Sequence, residues 1–211
     1  MNLGILGAGR VGASLARAFA EKGHTVTLGH RDPQAGAARW QGPPVHHATL
    51  AQAVAAAPLV INATPGDSSL ETLTALRNAL RGKTLLDVAN ASERLPNGMP
   101  GGLLYPGSSL AERLQAALPE TQVVKSLNTM FFSVMTAPQS LATAPKVFLS
   151  GNDGAAKAQV RALLAELGWA DHAMLDLGAI ASAQATEALM LMVPHVIRAA
   201  GFRPFALTVA D

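Results

Sequence analysis

The sequence predicts an α/β protein built on one doubly wound, mainly parallel sheet and finished by a helical C-terminal end. Two observations carry this. Short, continuous apolar runs suited to strands buried on both faces alternate from end to end with segments of helical periodicity. The 211 residues, 49% of them apolar, supply enough core for one domain, and no linker, repeat or low-complexity tract divides them. A single domain over 1–211 is expected, with a helical extension from about residue 179.

The first element is the apolar strand Asn2-Leu3-Gly4-Ile5-Leu6, which runs into Gly7-Ala8-Gly9-Arg10-Val11-Gly12 and then a helical stripe through Leu15, Ala18 and Phe19. This G-x-G-x-x-G between strand and helix is the setting of a dinucleotide-binding turn, and it makes the expected fold Rossmann-type. Gly7 turns the chain, Gly9 lets backbone approach a pyrophosphate, and Gly12 lets the helix pack close to the strand. The helix N-terminus then offers free N–H groups to the anion. Lys22-Gly23 ends the helix, and Thr25-Val26-Thr27-Leu28 forms the second strand, stopping at Gly29-His30-Arg31. An acid at this strand end would select NAD, whereas cations select the 2′-phosphate of NADP. His30 and Arg31 are read as those cations, and Asp32-Pro33 as a helix cap followed by proline in the first turn.

Val45-His46-His47 begins a weaker unit, with the two histidines expected in a loop or at the surface because neighbours on a strand point to opposite faces. After a short helix near Leu50 to Ala56, the strand Leu59 to Ala63 ends in Thr64-Pro65-Gly66-Asp67, at the edge where such sheets bind ligands. Leu70, Leu73, Leu76 and Leu80 make one helical stripe, Thr84 to Val88 the next strand, and Ala89-Asn90-Ala91 its end. Thr64, Pro65 and Asn90 are candidate contacts to the cofactor. Pro96 to Gly107 reads as loop. Ser109 with Glu112 fits a capping box before the stripe Leu110, Leu114, Leu118. Gln122 to Lys125 is a strand delivering Ser126-Leu127-Asn128-Thr129 to the same edge, where Lys125 and Asn128 are candidates for positioning a substrate. A strand at Lys146 to Leu149, a helix through Val160 and Leu164, a short strand near Met174 and a long apolar helix from Ala179 complete the chain, with Pro194 expected to interrupt the last. Met190 and Met192 fit either a flat-ring pocket or a core and dimer face.

Together the glycine motif, the strand ending in His30-Arg31-Asp32-Pro33, the stretch Val123-Val124-Lys125-Ser126-Leu127-Asn128-Thr129, and Asp176-Leu177-Gly178 with Ala181 to Glu187 resemble the coenzyme F420-dependent NADP oxidoreductase family. The resemblance spans nearly the whole chain and extends to the NADPH-oxidising domain of membrane ferrireductases and the N-terminal domain of pyrroline-5-carboxylate reductase. It implies NADP(H) as cofactor and hydride transfer with coenzyme F420 or a flavin as second substrate. His30 departs from the family, where a small hydroxyl residue is common at that place. Reduction of flavin, ferric iron or a small imine, and non-catalytic sensing of NADP(H), are the alternative readings.

Composition narrows the rest. A formal charge of +2 without a Lys/Arg run argues against nucleic acid, and the absence of cysteine excludes thiolate chemistry and cysteine-held metals. No metal site is expected. A charged fraction of 14%, against a usual value of about a quarter, suggests a surface covered by a second copy, hence a homodimer. A strand begins at once, with no signal-like segment before it, so the cytoplasm is expected. The apolar run Ala188 to Val193 is too short to span a bilayer, so no membrane partner is expected.

Overall fold

The computed structural model describes residues 1–96 and 98–210. Among these described residues ten strands form: β1 Asn2–Leu6, β2 Thr25–His30, β3 His46–Thr49, β4 Leu59–Asn62, β5 Thr84–Asp87, β6 Ser92–Arg94, β7 Pro100–Leu103, β8 Gln122–Ser126, β9 Val147–Gly151 and β10 Met174–Asp176. Eight of them make one sheet in the order β10-β9-β8-β5-β4-β1-β2-β3. The six from β3 to β8 in that order are parallel, while β9 runs antiparallel to β8 and carries β10 parallel to itself. The expected doubly wound sheet is therefore present, with an edge pair reversed.

Side chains alternate across each strand, so each apolar run serves two cores. Leu3, Ile5, Leu86 and Val124 face α1 (Arg10–Glu21), α7 (Phe132–Thr136) and α8 (Gly154–Glu166). Leu6, Val60, Leu85 and Val123 face α3 (Leu50–Ala55), α4 (Gly66–Ala75), α5 (Arg77–Leu80) and α6 (Leu110–Ala117). The helix α2, Pro33–Arg39, packs beside β3 at the edge. The caps fall at the expected residues, though the Glu112 carboxylate accepts from the Ser108 and Ser109 hydroxyls in place of the Ser109 N–H of a full capping box. Asp32 accepts from the Ala35 N–H at 3.0 Å with Pro33 in the first turn, and the Ser109 hydroxyl accepts from the Glu112 N–H at 3.1 Å.

Four expectations change. The stripe Leu70 to Leu80 is two helices, broken at Leu76, whose carbonyl turns to start the second. The stretch read as loop from Pro96 contains β7, which pairs antiparallel with β6, so part of it is a hairpin; Asn97 within it lies outside the described residues. His46 and His47 belong to a strand because β2 offers a free parallel edge. Pro194 does not interrupt the last helix. It occupies the first turn of α10 (Val193–Ala200), where its missing N–H costs no hydrogen bond.

Thus α9 (Ala183–Ala188), α10 and the 3₁₀ turns before and between them make one helical stretch, Ile180–Ala200. With 21 residues at mean hydropathy 1.3, it is long and apolar enough to cross a membrane by length and composition, unlike the short run the sequence singled out. In this fold it docks on the sheet. Ile180 and Ala183 join the second core, and Glu187 reaches a row of polar side chains beneath the carboxyl edge.

That row follows from register. Asn62 on β4 lies beside Asp87 on β5, and Asp87 beside Lys125 on β8, so all three project from one face. Asn62 Nδ2 donates to Asp87 Oδ1 at 2.8 Å, and Lys125 Nζ lies 2.9 Å from both Asp87 Oδ2 and Glu187 Oε1. Lys125 also donates to the Ala89 carbonyl. Glu187 in turn accepts from the Leu110 and Ala111 N–H groups at 3.0 and 3.2 Å, where the N-terminus of α6 favours its negative charge. Burial works against the Lys125 charge, yet Asp87 and Glu187 together hold its pKa above the ordinary lysine value. Removing the cation leaves two buried carboxylates facing each other. Lys125→Met is expected to cost about 3–5 kcal/mol of stability, read by denaturant titration; a loss below about 1 kcal/mol would show the row to be dispensable.

Candidate active site

A cleft of about 1020 Å³ opens along the carboxyl edge of the parallel strands. Gly7, Ala8, Gly9, Arg10, Val11, His30, Arg31, Thr64, Pro65, Asn90 and Asn128 all line it, so the fold gathers eleven of the residues singled out in the sequence. Gly12 and Lys125 do not. Gly12 lies beneath the turn, where a Cβ would stand 1.8 Å from the Gly7 carbonyl oxygen, which is the close helix-to-strand packing expected of it. Lys125 is a correction: it is 1% exposed and committed to the buried row, so it cannot touch a substrate.

The glycine turn fits a pyrophosphate. Gly7 has φ +97°, and a side chain there would meet the Ala63 carbonyl at 2.5 Å. Gly9 is the N-cap of α1, and a Cβ on it would meet nothing within 4 Å, so any side chain would fill the cleft where the anion must come. The first turn of α1 holds no acid and no side-chain cap, leaving its N–H groups for a ligand.

At the adenosine end, Arg31 lines the cleft and Asp32, held as a cap, does not compete for a ribose hydroxyl. Arg39, in the last turn of α2, also lines the cleft, a cation that sequence reasoning missed because it returns to the site only through the length of the helix. His30 is corrected in kind. Its Nε2 lies 2.8 Å from His47 Nδ1, and burial, then His47 and Arg39, hold its pKa below the ordinary histidine value. That leaves Arg31 and Arg39 as the cations lining this end of the cleft.

This geometry agrees with known proteins. A crystal structure from Arthrobacter sp. FB24, provisionally named an F420-dependent NADP reductase, superposes with TM-score 0.89 at 41% identity, each chain covered to 99%. The chain belongs to the coenzyme F420-dependent NADP oxidoreductase family. The family profile, NADP oxidoreductase coenzyme F420-dependent, matches residues 2–91, from the start of β1 to the residue before β6. Metalloreductase STEAP3 of Rattus norvegicus is 29% identical over 190 residues, 90% of this chain; the chain spans about a third of that protein, 36%. An imine reductase from Aspergillus terreus, solved with NADPH4 and dibenz[c,e]azepine, is 25% identical with TM-score 0.64, covering 94% of this chain and 62% of its own.

In this F420-dependent NADP oxidoreductase fold the cleft has a second half beyond the strand tips. Asn90 and Asn128 tie β5 to β8 there: Asn90 Nδ2 donates to the Asn128 carbonyl at 2.7 Å, and Asn128 Nδ2 donates to Asn90 Oδ1 at 2.9 Å. Leu127, just before, has φ +62°, a left-handed backbone costing about 1–2 kcal/mol for a branched residue, which the flanking bonds hold in place. Beyond the pair the wall is apolar. Met130, Phe131, Met135, Met190, Val193 and Ile197 line it. The C-terminal tail lines this half as well, with Phe131 N–H donating to the Phe205 carbonyl at 2.9 Å and Leu207 N–H to the Thr129 carbonyl at 2.8 Å. Met190 lines the cleft, and Met192, half exposed, does not. Arg94 on the hairpin, another cleft residue not anticipated, stands 3.9 Å from Asp67.

Arg31→Ala and Arg39→Ala are each expected to weaken NADP binding roughly ten- to a hundredfold, the size of a charge-assisted hydrogen bond, and to leave NAD binding nearly unchanged by calorimetry. Equal losses for both cofactors would defeat the 2′-phosphate assignment.

Proposed function

We propose that the protein transfers hydride between NADP(H) and a deazaflavin of the F420 type. The observation that carries this is the two-part cleft. One half presents a glycine turn, a helix N-terminus and two arginines suited to a phosphorylated dinucleotide; the other presents an apolar, aromatic wall suited to a flat ring. When both are bound, the two cofactors supply the redox chemistry themselves: a hydride passes from the reduced deazaflavin to C4 of the nicotinamide, and a proton leaves to water.

The protein's contribution is then positional. Asp32 is the one acidic residue lining the cleft among the described residues, and it is occupied as a helix cap. His30 lies at the ribose end, away from the apolar half. Asn90 and Asn128 hold the strand tips under the ring, and the wall formed by α10 and the tail keeps water out. Orientation of this kind lowers a barrier without a group that exchanges protons.

The test is an acceptor screen that follows NADPH absorbance with F420, a free flavin, ferric citrate and a cyclic imine. Turnover with F420 is expected. Turnover only with another acceptor would move the substrate, and tight NADPH binding with no turnover would make the protein a sensor. Asn128→Ala should lower turnover about ten- to a hundredfold while NADPH affinity stays within a few-fold. A loss beyond about 10⁴-fold with normal binding would instead make Asn128 a specific acid or base.

We further propose that the working form is a homodimer. Leu191 and Met192, 46% and 50% exposed, stand on the helical stretch whose other side lines the cleft. Light scattering should report a dimer, shifted toward monomer by Leu191→Glu. A monomeric unmodified protein would refute this.

A further inference from the structure

Thr129, one residue past the Asn90–Asn128 pair, lines the cleft and is 5% exposed. Its Oγ1 is buried and has no hydrogen-bond partner among the described residues, the one side-chain nitrogen or oxygen among them in that condition. A buried hydroxyl left unsatisfied is costly, so its persistence at a ligand cleft calls for a partner that arrives with the ligand. The backbone around it is held, so rotation about its own Cα–Cβ bond is what turns the buried hydroxyl toward the cleft. Leu127 is held in the left-handed region, Asn128 is bonded twice to Asn90, the Thr129 carbonyl accepts from Leu207, and Met130 is bridged to Ala206.

We propose that the Thr129 hydroxyl binds the carboxamide of the nicotinamide ring and thereby sets which ring face turns toward the apolar half of the cleft. The inference rests on the NADP(H) reading above. Its position selects the group. The tips of β4, β5 and β8 lie between the glycine turn, where the pyrophosphate is expected, and the wall formed by Met190, Val193 and Ile197. What sits over them is the nicotinamide end of the dinucleotide. A carboxamide has a carbonyl to accept from the hydroxyl and an amide to donate to it, so either rotamer finds a partner. Of the neighbouring amides, both nitrogens and the Asn90 Oδ1 are engaged in the Asn90–Asn128 pair, whereas the Thr129 hydroxyl has no partner among the described residues.

The consequence is a pair of effects with opposite sign, which a merely structural residue would not show. Thr129→Val replaces a partnerless hydroxyl by a methyl of the same shape. The ligand-free protein should melt at the same temperature or higher, while NADPH binds about tenfold more weakly by calorimetry. Adenosine 2′,5′-bisphosphate, which lacks the nicotinamide, should bind the variant as it binds the unmodified protein. Thr129→Ser, which keeps the hydroxyl, should restore most of the NADPH affinity. Unchanged NADPH binding by Thr129→Val overturns the assignment, as does a lower melting temperature with equal losses for both ligands. Failure of the unmodified protein to bind the bisphosphate would overturn the cofactor reading itself and the inference with it.

Discussion

The Lys125 ammonium, buried between Asp87 and Glu187, is the contact on which the arrangement of this molecule depends. It joins three pieces that no local force brings together: the tip of β5, the tip of β8 and the helical stretch that begins at Ile180. Two carboxylates and one ammonium leave a net negative charge in the protein, and the N–H groups at the start of α6 meet it at Glu187. The row continues sideways through Asn62, whose Oδ1 accepts from the Thr64 hydroxyl at 2.6 Å, with Ser69 adjacent. An ion pair so fully buried adds little net stability over a well-packed apolar substitute, but its partners cannot be mismatched without large penalty. We read its value as placement: it sets the height of the C-terminal helix over the sheet edge.

That placement makes the two halves of the cleft one site. The cofactor half is built by residues close in sequence to the glycine turn and β2, whereas the apolar half is built by Met130 to Met135 and by the C-terminal segment. Their common floor is the Asn90–Asn128 pair, which lies one short step from Asp87 and Lys125 along the same strands. The left-handed Leu127 is tolerated at that junction because the bonds on either side over-determine it.

Much of the fold was legible because its determinants are local. The Asp32 cap is set by a side chain and an N–H three residues apart, and the glycine turn by steric freedom at Gly7 and Gly9. The strands show as apolar runs because both faces are buried. What could not be read involves choices that local sequence leaves open. Pro194 is as compatible with the start of a helix as with its end, and only the continuous stretch on the sheet decided which. The sequence shows His30 as a cation in waiting, but burial, and then the His47 that β3 brings against it, hold its pKa below the ordinary histidine value.

The chain's own order of residues therefore settled the sheet, its winding and the dinucleotide turn, since hydrophobic period, caps and glycines act within a few residues. Tertiary structure alone decided the state and address of each polar group. Lys125 and Asn128 sit three residues apart at one strand end, yet one is sealed in the protein and the other opens to the cleft. The difference is the pleat together with the left-handed turn at Leu127: side chains on a strand alternate in direction, and burial with a carboxylate brought from a distant helix fixed the lysine on the closed side.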